Sequence, residues 1–142
     1  MKKKFLVING PNLNFLGKRE PEVYGDLSLK QIIEYTETKL QSFNLDVEWF
    51  QSNLEGEIVS KIQSLSLETI SALIINPGGY SHTSIAILDA IKVLSIPVIE
   101  VHLSNTHARE EFRKERPVAT GVTSVMEGLG KNVYHTAIYS QL

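Results

Sequence analysis

The sequence predicts an α/β domain, a parallel sheet covered by helices on both faces. Two observations carry that expectation. Short apolar runs alternate with amphipathic stretches along the whole chain, and strict strand–helix alternation forces parallel strands joined by crossovers. Central runs such as Leu73-Ile74-Ile75 are apolar without a break, as strands covered on both faces must be. A third observation bears on function. The loops Asn9 to Gly25, Asn76 to Thr83 and His102 to His107 follow predicted strands and carry unusual chemistry. Ligands of such sheets bind outside the carboxyl ends of the strands.

The elements follow in order. Phe5 to Ile8 reads as a buried strand stopped by Asn9-Gly10-Pro11. After a polar loop to Leu27, Ser28 with Gln31 forms a capping box, and Leu29, Ile32, Ile33 and Leu40 give the next helix an apolar stripe. Val47 to Phe50 is a second strand, and Ile58, Ile62 and Leu65 recur at helical spacing within Glu55 to Leu65. Ala72 to Ile75 is a third strand, followed by a helix from about Thr83 to Leu94. Val98 to Val101 is the fourth, followed by a short helix over Thr106 to Arg113. A fifth strand is expected near Val122 to Met126 and a last helix from about Lys131.

The chain has 142 residues, a length that encloses a core without staples, and residues 1–142 read as a single domain. A net charge of −2 suggests neither a nucleic-acid nor a membrane surface. The apolar run Phe5 to Ile8 is too short for a signal peptide, and no stretch approaches the roughly 18 apolar residues of a membrane span. Cysteine is absent, which excludes disulfides, thiolate metal sites and a cysteine nucleophile, and suits a reducing cytoplasm.

Each loop has a bland reading and a functional one. Asn9-Gly10-Pro11-Asn12-Leu13-Asn14 is turn chemistry in itself, but Gly17 to Gly25 extends it into a long polar loop, a common form of lid. Gly17 and Gly25 can serve as its hinges. Arg19 and Tyr24 can face one pocket, or the tyrosine can merely pack and the arginine be solvated. A phenol is a poor base at neutral pH, and a neighbouring guanidinium favours its charged form. In Asn76 to Ser84, glycines admit a ligand close to the backbone, and Asn76 and His82 offer hydrogen bonds to hydroxyls or a carboxylate. Thr83 or Ser84 can equally be a plain helix cap. Neither a nucleophile elbow nor a phosphate loop is present. His102 ends the fourth strand, and Glu100, two positions back, shares its face and can orient the imidazole. A metal site at His82, His102 and His107 is a weaker alternative. Arg109 and Arg113 share one face of the expected short helix, as solvated charges paired with glutamate or with one arginine aimed at an anion.

Together these segments resemble the type II 3-dehydroquinase family. The match runs through Ile8 to Asn14, Leu16 to Pro21, Tyr24-Gly25, Gln51 to Glu57, Asn76 to Ser84, Asp89-Ala90, Glu100 to Asn105 and Ala108 to Arg113. Several motifs in order make it specific. It thins after Lys114, where Glu115-Arg116-Pro117 and Gly121 to Glu127 depart from the pattern, and Gly128-Leu129-Gly130 fits again. The resemblance implies a flavodoxin-like three-layer sandwich with a five-stranded parallel sheet. It implies anti elimination of water from 3-dehydroquinate through an enolate, in the shikimate pathway of aromatic amino-acid biosynthesis, with no cofactor and no metal.

The resemblance also assigns roles. Tyr24 takes the proton beside the ketone, and Arg19 holds it as phenolate and moves with the lid. Asn12 stabilises the enolate through a water, and His102, oriented by Glu100, protonates the departing hydroxyl. Asn76 and the backbone amides of Leu103 and Ser104 hold the carboxylate or neighbouring hydroxyls, and His82 and Arg113 bind ring hydroxyls. The family assembles as a dodecamer, a tetramer of trimers, in which Asp89 supports a neighbouring subunit's site. Asp89 lies seven residues beyond His82 on the same helix, roughly 10 Å down its axis, too far to touch the same small substrate.

Two other readings fit the same fold. A flavodoxin-like module binding a small anion or nucleotide needs Ser, Thr and Gly after the first strand, where Asn, Pro and Leu stand. A receiver domain needs clustered acids there and an Asp after the third strand, where Asn9, Asn12 and Asn76 stand.

Overall fold

The computed structural model describes residues 2–142. In chain order the elements are β1 (Lys3–Asn9), a single helical turn α1 (Pro21–Tyr24), α2 (Leu29–Leu40), β2 (Leu45–Gln51), α3 (Glu55–Ser64), β3 (Ala72–Asn76), α4 (Ile85–Lys92), β4 (Val98–His102), β5 (Ser124–Glu127) and α5 (Val133–Tyr139). All strand pairs are parallel, in the order β2-β1-β3-β4-β5. This is the flavodoxin-like order, with its switch point between β1 and β3.

Side-chain alternation divides the core. Phe5, Val7, Ile74, Ile99 and Val101 pack with Ile32 and Leu40 of α2 and with Tyr134 and Ile138 of α5. Leu6, Ile8, Leu73, Ile75 and Val98 face the other way, onto Ile58 and Ile62 of α3 and Ile87 and Ile91 of α4. Every position of β3 and β4 is buried, Glu100 and His102 included, and in β3 this shows in the sequence as the unbroken apolar run Leu73-Ile74-Ile75. The Ser28–Gln31 capping box forms in both directions, with bonds of 3.2 and 2.9 Å.

Three expectations need correcting. Helix α4 starts at Ile85, because Ser84 caps it by accepting the Ile87 N–H at 3.0 Å, and Gly78–His82 forms a separate 3₁₀ turn. No helix spans Thr106 to Arg113. Two 3₁₀ turns, Thr106–Ala108 and Glu111–Lys114, flank an extended Arg109. The stretch has no apolar face to bury, since its one large hydrophobic, Phe112, is exposed, so packing does not favour a full helix. The last strand begins at Ser124 rather than Val122, and Val122 instead packs on the α3/α4 side of the sheet.

The strand ends come close at the switch point. Asn9 and Asn76 are register partners, and the Gly10 N–H donates to the Asn76 carbonyl at 2.7 Å. A Cβ on Gly10 would lie 2.4 Å from the Pro77 carbonyl oxygen, so only glycine lets these two loops pass.

Candidate active site

A cleft of about 130 Å³ opens at the carboxyl ends of β1, β3 and β4. Its first wall comes from the loop after β1. Leu13 and Leu16 are buried and anchor that loop to the core. Asn12, held in the left-handed region at φ 69°, gives its backbone N–H to Asn53 Oδ1 at 3.0 Å and lines the cleft. Such backbone strain in a non-glycine residue is a common mark of functional positions.

Beyond Leu16 the loop becomes an exposed arm bounded by Gly17 and Gly25, at φ 88° and 86°. It carries Arg19 and, in the turn α1, Tyr24, and both line the cleft. Arg19 Nη2 donates a long hydrogen bond to Tyr24 Oη at 3.5 Å, and its guanidinium carbon sits 4.6 Å from the ring centroid. A second guanidinium, Arg109, lies 5.0 Å from the same centroid. The phenol is therefore flanked by two cations.

The opposite wall is buried and tightly bonded. His102 Nε2 lies 2.6 Å from Glu100 Oε2, as strand periodicity leads one to expect. The same oxygen accepts a short hydrogen bond from the Ser81 hydroxyl. Glu100 is fully buried, and its Oε1 has no partner among the described residues. With Nε2 committed to the carboxylate, Nδ1 is the ring atom of His102 left to serve the cleft.

His82 stacks near His102, with ring centroids 6.3 Å apart. Its Nδ1 lies 2.8 Å from the Glu115 carbonyl, so Nδ1 carries the proton and Nε2 is an acceptor in the neutral ring. Burial is the largest cause lowering the His82 pKa from its ordinary value. The Glu115 carbonyl works against it, while the positive charges of His102, Arg113 and Arg116 add to it. Asn76, Leu103, Ser104 and Arg113 also line the cleft, with Gly78, Gly79 and Thr106. Arg113 pairs closely with Glu110, and that hydrogen bond holds the Glu110 carboxyl below its usual range.

Of the eleven residues expected to form the site, Asn12, Arg19, Tyr24, Asn76, His82, His102, Leu103, Ser104 and Arg113 line one cleft, and Glu100 lies behind His102. Asp89 is not brought in. It is exposed on α4. His107 is also elsewhere, beside Glu127 at 3.2 Å, and no group of three or more His, Cys, Asp or Glu among the described residues is arranged to hold a metal.

Several contributors stand outside the eleven, including Arg109, which the sequence reading pairs with Arg113 as an arginine aimed at an anion without choosing it. Arg109 donates to Ser104 Oγ at 3.3 Å besides flanking Tyr24. It could have been singled out as the cation nearer the end of β4. Ser81 gave no signal beyond membership of a polar loop. The segment that departs from the family pattern supports the wall from behind. Glu115 supplies the carbonyl for His82, and Arg116 pairs with Glu127, which also accepts from the Thr106 N–H at 3.2 Å. Burial acts to raise the Glu127 pKa, but hydrogen bonds from His107, Arg116 and Thr106 outweigh it and hold the carboxyl below its ordinary range.

A phenol between two guanidiniums, facing a carboxylate-held imidazole across a cleft rich in hydrogen-bond donors, defines a candidate acid–base enzyme for a small polar substrate. The comparisons agree. The family model for class II dehydroquinase matches residues 3–142. A 3-dehydroquinate dehydratase of Caldicellulosiruptor bescii is 51% identical over 138 residues, 97% of this chain and 95% of the relative. The crystal structure of a type II dehydroquinase from Butyrivibrio crossotus has a TM-score of 0.96 at 42% identity, covering 99% of this chain and 97% of that one. One from Propionibacterium acnes has a TM-score of 0.93 at 39% identity, covering 99% and 96%. The chain belongs to the class II dehydroquinase family.

Proposed function

We infer that this chain is a hydro-lyase that removes water from 3-dehydroquinate to give 3-dehydroshikimate, the dehydration step of the shikimate pathway. The observation that carries the mechanism is the pairing across one cleft of Tyr24, flanked by Arg19 and Arg109, with the His102–Glu100–Ser81 chain. Tyr24, as phenolate, takes the proton from the carbon beside the ketone, and the released electron pair forms an enolate. Arg19 holds the phenol oxygen by its hydrogen bond, and Arg109 lies against the same ring. Asn12, strained and exposed at the cleft, steadies the enolate oxygen through a water. The enolate then collapses and expels the hydroxyl, which leaves as water with a proton from His102 Nδ1. Glu100 is the counter-charge that holds the ring.

Binding falls to the rest of the lining. Asn76 and the amides of Leu103 and Ser104 take the carboxylate end. Neutral His82 accepts a ring hydroxyl through Nε2, and Arg113 donates to another. The direct test adds 3-dehydroquinate to the purified chain and follows the conjugated enone in the ultraviolet. No absorbance change at micromolar enzyme would defeat the assignment.

The same reading has residues 1–142 working as one catalytic domain in the cytoplasm, supported by the absence of cysteine. It also has twelve copies assembling as four trimers, with Asp89 reaching a neighbour's site. Ile85, Asp89 and Val93 recur every four residues along α4 and its end, and all three are exposed. Two exposed aliphatic side chains bracketing a carboxylate suit a subunit contact better than a solvated face. Asp89→Ala should raise KM or lower kcat in particles that keep their sedimentation coefficient. Unchanged kinetics in intact particles would leave Asp89 as a surface charge.

A further inference from the structure

Tyr134 stands on α5, 58 residues from Asn76 in sequence, yet its hydroxyl joins the two asparagines that end β1 and β3. Asn76 Nδ2 donates to Tyr134 Oη at 3.1 Å, and Tyr134 Oη donates in a short bond to Asn9 Oδ1. On its other side, Asn76 Oδ1 accepts the Gly78 N–H at 3.2 Å. All three side chains are buried, with Tyr134 fully enclosed and Asn9 and Asn76 at 1% and 2% exposure. Trp49 packs against the Tyr134 ring, with centroids 5.6 Å apart. The mechanism derived above uses neither Tyr134 nor Asn9.

We propose that Tyr134 is a positioning residue, which with Asn9 locks the Asn76 amide in the one orientation that presents an N–H to the substrate. The inference deepens, and rests on, the assignment of Asn76 to the carboxylate end of the substrate. An amide turned by 180° has nearly the same shape, so only its hydrogen-bond partners choose the orientation. A tyrosine has a single O–H to give. With Asn76 Nδ2 donating to it, Tyr134 gives that O–H to Asn9 Oδ1, and Asn9 Nδ2 has no partner among the described residues. The Gly78 N–H independently requires Asn76 Oδ1 on its side. One Nδ2–H remains, and it belongs to a residue that lines the cleft. Were the amide turned, its carbonyl oxygen would confront the substrate carboxylate and repel it. Burial pushes the Tyr134 phenol well above its ordinary range, against a smaller opposing effect of the Asn76 hydrogen bond, so the hydroxyl stays a donor throughout the working pH range.

The test is steady-state kinetics of the full-length chain on 3-dehydroquinate, with folding followed by circular dichroism. Tyr134→Phe should raise KM by roughly 10- to 100-fold, the size expected for losing a hydrogen bond to a charged group, with a much smaller change in kcat. Asn9→Ala, which keeps the tyrosine ring and its packing, should shift KM in the same direction, and it decides the matter if Tyr134→Phe does not fold. Asn9→Asp retains an acceptor for the Tyr134 hydroxyl and should recover most of the loss seen in Asn9→Ala. The relay is overturned if folded Tyr134→Phe and Asn9→Ala keep the parent KM while Asn76→Ala raises it. It is equally overturned if Asn9→Asp is as impaired as Asn9→Ala, which is the behaviour of a purely structural contact. An unchanged KM in Asn76→Ala removes the binding role itself, and the relay with it.

Discussion

The two sides of the cleft are built by different physics. The wall formed by β3 and β4 is part of the core. Glu100 is fully buried, Asn76 and His102 are 2% and 6% exposed, and each is tied by hydrogen bonds to another buried group. The arm from Gly17 to Gly25 holds its chemistry loosely. The Arg19 side chain is 31% exposed, Tyr24 is half-buried, and the contact between them is a 3.5 Å hydrogen bond and a stacked guanidinium. The arm also carries Glu20 at φ 38°, a conformation that costs about 1–3 kcal/mol and persists only where surroundings impose it. In the proposed mechanism the general acid is thus fixed by the core, whereas the base sits on a half-exposed arm that touches the core from outside. Damage to the arm should appear in rate alone, and damage to the wall in both rate and stability.

The largest effect is expected on the arm. Tyr24→Phe should lower kcat by about 10²–10⁴, the usual worth of a general acid–base group, while the thermal midpoint stays near that of the parent. Arg19→Ala should also lower kcat, and the double variant should be little worse than Tyr24→Phe, because the two act as one unit. If Tyr24→Phe turns over at close to the parent rate, the base is another group.

Next comes the wall. Glu100→Ala leaves the His102 N–H and the Ser81 hydroxyl without their shared acceptor in a fully buried place. An unsatisfied buried polar group costs about 1–3 kcal/mol. The variant should lose kcat and stability together, unlike Tyr24→Phe. Glu100→Gln keeps the shape and an acceptor oxygen but removes the counter-charge. It should recover much of the stability while kcat remains about 10²-fold low, the lower end of what a positioned acid–base group supplies. Equal thermal midpoints for Glu100→Ala and Tyr24→Phe would erase the distinction between wall and arm.

The same contrast decides what the sequence made legible. Strand and helix alternation, the double-sided core and the place of the cleft follow from hydrophobic period and loop chemistry, which are local signals. Glu100 behind His102 was legible because a two-residue period puts both on one face. Ten of the eleven expected residues lie in or directly behind the cleft, and their individual roles came from resemblance to a family, since spacing alone leaves Tyr24 and Arg19 as ordinary packing and surface charge. The rest was hidden by distance along the chain. Nothing in Val133-Tyr134-His135 announces that its hydroxyl meets Asn9 and Asn76. Nothing in Glu115-Arg116 announces a carbonyl for His82 and a cation for Glu127. Arg109 was misplaced for a different reason: a charged stretch without an apolar face was read as a helix, and the chain formed two short turns instead.

The smallest expected effect lies where wall and arm both face the substrate, at His82. Burial lowers its pKa from the ordinary 6.5, and nearby positive charges add to the shift, so the ring stays neutral at a pH where a solvated histidine has begun to charge. Its Nδ1–H is held by the Glu115 carbonyl, which leaves Nε2 as an acceptor for a substrate hydroxyl. Protonation converts that acceptor into a donor and adds a positive charge beside Arg113. KM should therefore stay flat as pH falls to about 6.5 and rise only below it. The stability sign follows from the same shift. Below the unfolded value of about 6.5 the unfolded chain binds more protons at this position than the folded one, so the contribution to stability falls as pH drops from there toward the lowered folded value. His82→Gln, which cannot titrate, should flatten the acid rise in KM and reduce that part of the acid loss of stability, at a modestly higher KM throughout. An acid rise in KM beginning well above 6.5 in the parent, or persisting unchanged in His82→Gln, would assign it to a group other than His82.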